Sequence, residues 1–209
     1  MSTKEKITYQ ALALFSVQGY EAVTIRQIAA AVGIKESSIY NHFSSKKEIL
    51  ETIVQVALAR YDLALEEARV PKGGKRGYTA QYASISPQDF FAICSRIFLF
   101  YLKDEYIAKL RRLLTIEQYA NGELGEIFRT TFIENVLERQ RLVLQEFVDA
   151  GYFIPGDAYI MALHFYAPVF LLLYKYDNLP GREEQALAEL EKHVRQYNEL
   201  YLAEGDCHE

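Results

Sequence analysis

The stretch TIRQIAAAVGIKESSIYNHFSSKKEIL, from Thr24 to Leu50, encodes two short helices and the turn between them. Thr24 and Gln27 have the spacing of a capping box, in which the threonine hydroxyl accepts the N–H three residues on and the glutamine accepts the threonine N–H. Val23 and Ile28 occupy the staple positions around such a cap. Ile25, Ile28, Ala29 and Val32 recur at helical spacing, and Ala29, Ala30 and Ala31 are small enough to admit a second helix closely. Gly33 ends the helix, because the left-handed closing conformation is cheapest for glycine. After the apolar Ile34, a second short helix is predicted over residues 36 to 42, with Ile39 and Phe43 four apart on its inner face. Its other faces carry Lys35, Ser37, Ser38, Tyr40, Asn41 and His42. Ser45 to Glu48 repeats the capping-box spacing and starts a third helix.

Two helices joined by a glycine turn, the second covered in hydroxyl, amide and basic groups, form the pattern of a helix-turn-helix that sets its second helix in the major groove. An ordinary helical hairpin with its polar face in water gives the same local pattern. Upstream, residues 3 to 18 form a bracing helix with Ile7, Ala11, Leu14 and Phe15 on one face and Gly19 as its stop. Lys4 and Lys6 at its start are within reach of phosphates or simply solvated.

Charge is divided unevenly. Residues 1 to 50 hold six basic and four acidic side chains, and the remainder holds 17 basic and 24 acidic, within a net charge of −5. A basic head on an acidic body suits contact with DNA at one end and excludes a protein that coats nucleic acid by bulk charge. With 209 residues, half of them apolar, the chain is long enough for a sizeable core in one or two domains. Cys94 and Cys207 are too few and too distant for a disulfide framework or zinc site, which fits a reducing cytoplasm. No charged-then-apolar stretch opens the sequence, so no secretory signal is expected. The most apolar run, Tyr159 to Tyr174, is interrupted by His164 and Pro168 and is shorter than the usual span of about 20 residues, so no membrane partner is expected.

The wider pattern carries a resemblance. Ile7, Ala11, Leu14-Phe15, Gly19-Tyr20, Thr24, Ile28-Ala29, Gly33, Tyr40, Phe43 and Ser45-Lys46 fall at the spacing of the DNA-binding domain of the tetracycline-repressor (TetR) family of transcriptional regulators, which residues 4 to 50 resemble. The resemblance covers about a quarter of the chain, with the rest similar only in general plan. It implies an all-α protein with an N-terminal three-helix domain containing the helix-turn-helix, residues 1–50. A larger helical ligand-binding and dimerisation domain, residues 51–209, follows.

The resemblance also implies roles. Thr24, at a helix start, offers its hydroxyl and N–H to a phosphate. Tyr40 and His42 hold the DNA backbone, and Lys46 pairs with phosphate. Lys35, Ser37, Ser38 and Asn41 are the candidates for base edges. The sequence departs from the family at Lys35, where relatives carry a small capping hydroxyl, and at Glu36, which either reads a cytosine amino group or keeps clear of phosphates.

Beyond Leu50 the sequence predicts a linking helix from Lys46 to about Arg69, carrying Val54, Leu58, Tyr61 and Leu65. An exposed basic loop over residues 70 to 85 follows, with Pro71, Lys72, Gly73, Gly74, Lys75, Arg76 and Gly77. Further helices are expected from Ser86-Pro87 through Tyr101, from Asp104 to Tyr119, and from about Glu123 to Ala150. Two more run from Asp157 to Tyr176, where Pro168 frees the His164 carbonyl, and from Glu183 to Leu202. The helix around Pro168 is apolar nearly all round and needs cover on two sides. In the last helix Leu187, Leu190, Val194, Tyr197 and Tyr201 form a short heptad seam. That seam either builds a four-helix dimer interface with a symmetry mate or packs internally.

The 16 tyrosines and 12 phenylalanines concentrate in the body. A cavity among Tyr61, Phe91, Cys94, Phe98, Tyr106, Tyr119, Phe128, Phe132, His164 and Phe165 would suit a largely apolar small-molecule effector, with core packing as the alternative for each ring. The family plan implies that filling the cavity moves the linking helix and changes the spacing of two reading heads in a homodimer on a palindromic double-stranded DNA operator. His42, His164, His193 and His208 are scattered, and no nucleophile elbow, zinc-protease motif or nucleotide loop occurs, so neither catalysis nor a cofactor or metal is expected. Cys207 and His208 lie in a polar tail. The resulting expectation is a cytoplasmic transcriptional regulator, a repressor released by its effector; a helical carrier or protein-interaction module with a degenerate reading head is the alternative.

Overall fold

In the computed structural model, residues 1–70 and 85–203 are described. The described residues fold as helices, with one isolated bridge among them between Phe153 and Leu202, as the all-α expectation required. The basic segment from Pro71 to Gly77 and the tail with Cys207 and His208 lie outside the described residues.

Residues Met1–Ala64 and Lys103–Arg129 form one compact unit. It contains α1 (Thr3–Gln18), α2 (Ile25–Val32), α3 (Glu36–Ile39), most of α4 (Lys46–Glu67), α6 (Glu105–Glu117) and α7 (Gly122–Arg129). Helix α1 begins with a capping box that the sequence reading missed: Ser2 Oγ accepts the Glu5 N–H at 3.2 Å, and the Ser2 N–H donates to Glu5 at 2.7 Å. Ile7, Ala11, Leu12 and Phe15 of α1 are buried with Ile28 of α2, Ile39 and Phe43 around α3, and Ile49 and Ile53 of α4. Each fully buried aliphatic or aromatic side chain contributes about 1.5–3 kcal/mol. Helix α1 also packs on α6, whose Leu110, Leu113 and Leu114 are buried.

The second unit, Leu65–Leu102 and Thr130–Glu209, holds α5 (Pro87–Lys103), α8 (Asn135–Asp149), α9 (Ala158–Lys175) and α10 (Glu183–Tyr201). One core cluster joins Phe98, Leu172, Leu173, Tyr176, Ala186, Leu190 and Val194. Another joins Leu137, Leu144, Phe153, Ala158, Met161, Ala162 and Tyr197. Asp157 caps α9 by accepting the N–H groups of Tyr159 at 2.8 Å and Ile160 at 3.2 Å.

Two helices differ from expectation. The single helix foreseen from Glu123 to Ala150 is divided by a π-helical turn, Thr130–Glu134. There the Phe132 carbonyl accepts the Tyr166 hydroxyl at 2.5 Å. The helix foreseen over residues 36 to 42 is regular only from Glu36 to Ile39, after which Tyr40, Asn41 and His42 form turns. Lys35 at its N-cap makes no side-chain cap bond, since an ammonium has no acceptor to offer.

Helix α9 is covered on one side. Ala158, Met161, Ala162, Leu172 and Leu173 are buried, whereas Ile160, His164, Ala167, Leu171 and Tyr174 are exposed. By length and composition alone this 18-residue helix is also long and apolar enough to cross a bilayer.

Candidate nucleic-acid interface

The head presents a polar surface on an apolar base. Ile39 and Phe43 are buried at 0% and 1% exposure, and around them Lys35, Glu36, Ser37, Tyr40, Asn41 and His42 are exposed, with Ser38 half-buried. Tyr40 is 55% exposed, an unusual place for a large ring with nothing to cover it. The expected base-reading and backbone-holding groups of this segment therefore lie together on one short stretch. Lys4 sits over the Phe43 ring, 5.1 Å from its centroid.

Helix α2 starts as the sequence predicted, and this changes what Thr24 has to give. Its N–H donates to Gln27 Oε1 at 2.7 Å, its hydroxyl donates to the same oxygen at 2.9 Å, and Oγ1 accepts the Gln27 N–H at 3.2 Å. The two donors expected on a phosphate are committed to the capping box. Gly33, at φ 79°, closes α2 in the left-handed conformation as foreseen.

Lys46 is engaged within the head. Its Nζ donates to the carbonyls of Tyr20 at 2.9 Å, Val23 at 3.2 Å and Glu21 at 3.4 Å. It also lies 4.3 Å from the Tyr20 ring centroid and 4.0 Å from a Glu21 carboxylate oxygen. An ammonium has three protons, and three carbonyls use them. These bonds tie the start of α4 to the turn between α1 and α2. Next to it, the Ser45–Glu48 box is shifted by one residue. Ser45 Oγ accepts the Glu48 N–H at 3.1 Å, but the glutamate turns to the Ser44 N–H at 2.6 Å and hydroxyl at 2.7 Å. Those hydrogen bonds hold the Glu48 carboxyl below the usual range.

Glu117 is the residue that sequence reasoning missed altogether. Its Oε1 accepts the Tyr20 N–H at 2.7 Å across 97 positions of sequence, a separation that no local pattern reveals.

The expected effector residues fall in both units. Phe91, Cys94 and Phe165 pack around the cluster that contains Phe98, and Phe132 is buried with its ring edge-on to Tyr101 at 6.1 Å. Burial pushes the Cys94 thiol up to about 12. In the first unit Phe128 and Tyr106 are buried, and the Tyr106 hydroxyl donates to the Ile53 carbonyl at 3.2 Å. Tyr61 is half-buried there. Tyr119 is 91% exposed and lines no interior. His164 is likewise on the surface, with Nδ1 hydrogen-bonded to the Tyr201 hydroxyl. Near Pro168 the Phe165 carbonyl is hydrogen-bonded to His193 Nε2 at 2.8 Å.

The heptad seam of α10 is internal. Leu190, Val194 and Tyr197 are buried within the chain itself, and Leu187 and Tyr201 pack half-buried against the same clusters. Spacing alone shows a seam without showing which side it faces. Among the described residues no group of three or more His, Cys, Asp or Glu is placed to hold a metal.

Comparison with known proteins places this geometry. Residues 7–53 match the model of bacterial regulatory proteins, tetR family. Over 52 residues the chain is 48% identical to IcaR of Staphylococcus aureus, the negative transcriptional regulator of the icaADBC biofilm operon, covering 25% of this chain and 28% of that protein. The chain thus spans little more than a quarter of the curated relative it matches. A protein of Mesorhizobium loti assigned to the TetR family shares the fold at TM-score 0.68 and 19% identity, over 96% of this chain and 97% of its own. SmeT, the repressor of the Stenotrophomonas maltophilia multidrug efflux pump SmeDEF, does so in its triclosan complex at TM-score 0.67 and 24% identity, over 98% and 94%. Residues 7–53 thus carry the N-terminal module of the tetR family of bacterial regulatory proteins, and the whole chain shares the helical fold of these solved structures.

Proposed function

We propose that the protein is a sequence-specific, DNA-binding transcriptional regulator, a repressor that acts as a homodimer and is released by a small, largely apolar effector. The observation that carries the proposal is the cluster of exposed Lys35, Ser37, Tyr40, Asn41 and His42 above buried Ile39 and Phe43. Amide and hydroxyl groups on so short a projection suit the donor and acceptor pattern of the major groove, while Tyr40 and His42 suit the flanking phosphates. With Lys46 and the donors of Thr24 engaged inside the head, backbone contact rests on this segment. The functional division we assign is residues 1–50 for reading DNA and residues 51–209 for effector and partner.

Dimerisation is assigned to the outer face of α9. Ile160, His164, Ala167, Leu171 and Tyr174 are exposed at steps of four and three, a mostly apolar stripe on a helix whose opposite side is already buried. A second copy would cover it, and two joined heads would read a palindrome with more than the affinity of either. The effector is assigned to the aromatic region of Phe91, Cys94, Phe98 and Phe165. IcaR is a negative regulator and SmeT a repressor, with triclosan bound in one SmeT structure; these relatives support the class of function. A hundredfold loss of DNA affinity requires the effector to favour the non-binding shape by about 2.7 kcal/mol. No cofactor, membrane or catalytic role enters this reading, and the setting is the cytoplasm.

The test is selection of bound sequences from random duplex DNA by the purified protein, with Tyr40→Ala as control. An enriched palindrome that the variant does not enrich is expected. No enrichment by folded, effector-free protein overturns the reading in favour of a helical carrier or interaction module, which the uncapped start of α3 and the exposed Glu36 would then explain.

A further inference from the structure

Glu117 and Arg111 are the charged side chains buried among the described residues, and Glu117 is 6% exposed. Removing a carboxylate from water is unfavourable without strong hydrogen bonds. Glu117 receives a short, charge-assisted one from the Tyr20 N–H at 2.7 Å. Gly19 admits it: a Cβ at that position would sit 2.7 Å from Glu117 Oε1, and the backbone there has φ +83°. From the other side, Lys46 Nζ binds the Tyr20 carbonyl at 2.9 Å and lies over the Tyr20 ring. Tyr20 therefore carries an anion on its N–H and a cation on its C=O, with its ring edge-on to Phe15 at 5.2 Å. Helix α2 begins five residues later at Ile25 and packs on α3.

We propose that Glu117 is a positioning residue for DNA reading: a carboxylate on α6, outside the three helices of the head, that fixes the corner between α1 and α2 and so the presentation of α3. This rests on the regulator reading above. It assigns α6 a route of control over DNA affinity that passes through one hydrogen bond.

The experiment compares full-length wild type, Glu117→Ala and Glu117→Gln. Binding to the selected duplex is measured by fluorescence anisotropy at 25 °C, alongside Tyr20 amide hydrogen exchange and thermal unfolding. Glutamine keeps the volume and an acceptor, so it remains informative if alanine fails to fold. Expected are faster Tyr20 exchange and an affinity loss of about tenfold in alanine and about threefold in glutamine, in protein that is fully folded at the assay temperature. A merely structural role would lower the melting temperature and leave the folded protein's affinity within twofold of wild type, which overturns the proposal. Unchanged Tyr20 exchange overturns it as well. A wild-type protein that selects no duplex refutes the regulator reading and this role with it, whereas binding by wild type and variants alike refutes only the role.

Discussion

Replacing Lys46 with methionine separates a structural ammonium from a DNA contact. Methionine keeps a comparable unbranched stem and removes the charge, so the change isolates what Nζ does. Two of its carbonyl partners, Tyr20 and Val23, are partly buried, and the third, Glu21, is exposed. Bonds to a charged donor are each worth about 1.5–3 kcal/mol when buried. The lysine side chain is 23% exposed, so we discount these to about 1 kcal/mol for each partly buried carbonyl and nothing for Glu21. A part-exposed cation–π contact adds about 0.5 kcal/mol. The expected loss is about 2–2.5 kcal/mol, or a fall of about 4–10 °C in melting temperature for a chain of this size.

The assay pairs thermal unfolding with DNA affinity measured over a range of salt concentrations. A lysine that neutralises a phosphate contributes about one unit to the slope of log affinity against log salt. The structure predicts an unchanged slope and a lower melting temperature. A slope reduced by about one at an unchanged melting temperature would refute the assignment of Lys46 to the carbonyls and restore it to the operator.

Two further outcomes follow from the second unit. Leu190→Ala should cost about 2–5 kcal/mol in chemical denaturation and leave the particle mass unchanged in light scattering, while Leu171→Glu, at a position 66% exposed, should halve the mass at little cost to each subunit; the reverse pattern would return the interface to the α10 seam. For Cys94, whose folded thiol is pushed up to about 12 from an ordinary 9, the unfolded state loses its proton first as pH rises. Its contribution is therefore intact below about pH 9 and is lost on going toward pH 12, and in a Cys207→Ser background a thiol reagent at pH 8 should label Cys94 slowly until the protein is denatured, so rapid labelling of Cys94 in that native protein would count against the burial.

What could be read in the sequence was local. The Thr24–Gln27 box, the Gly33 stop and the apolar pair Ile39 and Phe43 depend on residues within one or two turns of each other, and each stands where its spacing put it. Glu48 was placed one residue wrong because Ser44 and Ser45 offer nearly equivalent groups, and only the path of the chain before α4 decides between them. The destinations of Lys46 and Glu117 are tertiary. Three carbonyls converge on one ammonium, and a carboxylate crosses 97 residues to an amide, neither of which follows any period. The α10 seam shows a different limit. A heptad records that one face is covered, and the covering residues turned out to belong to the same chain, including Phe98 and Leu172. The effector region was hardest to read because core rings and cavity rings have the same composition. Tyr119, in the turn after α6, and His164, on α9, are exposed whereas Phe98 is buried, and no spacing separates the three.

The π-helical turn from Thr130 to Glu134 bears on how relatives should be aligned with this chain. A π turn spends one residue more than an α turn to advance between the same two faces. Helix α8 therefore starts one residue out of phase with an α-helix run straight through these five positions. A relative one residue shorter here can run a continuous α-helix and still direct the counterparts of Leu137 and Leu144 inward. A one-residue gap between Arg129 and Asn135 then preserves the register of every downstream side chain, and a gap placed elsewhere in the helix would pair buried positions with exposed ones.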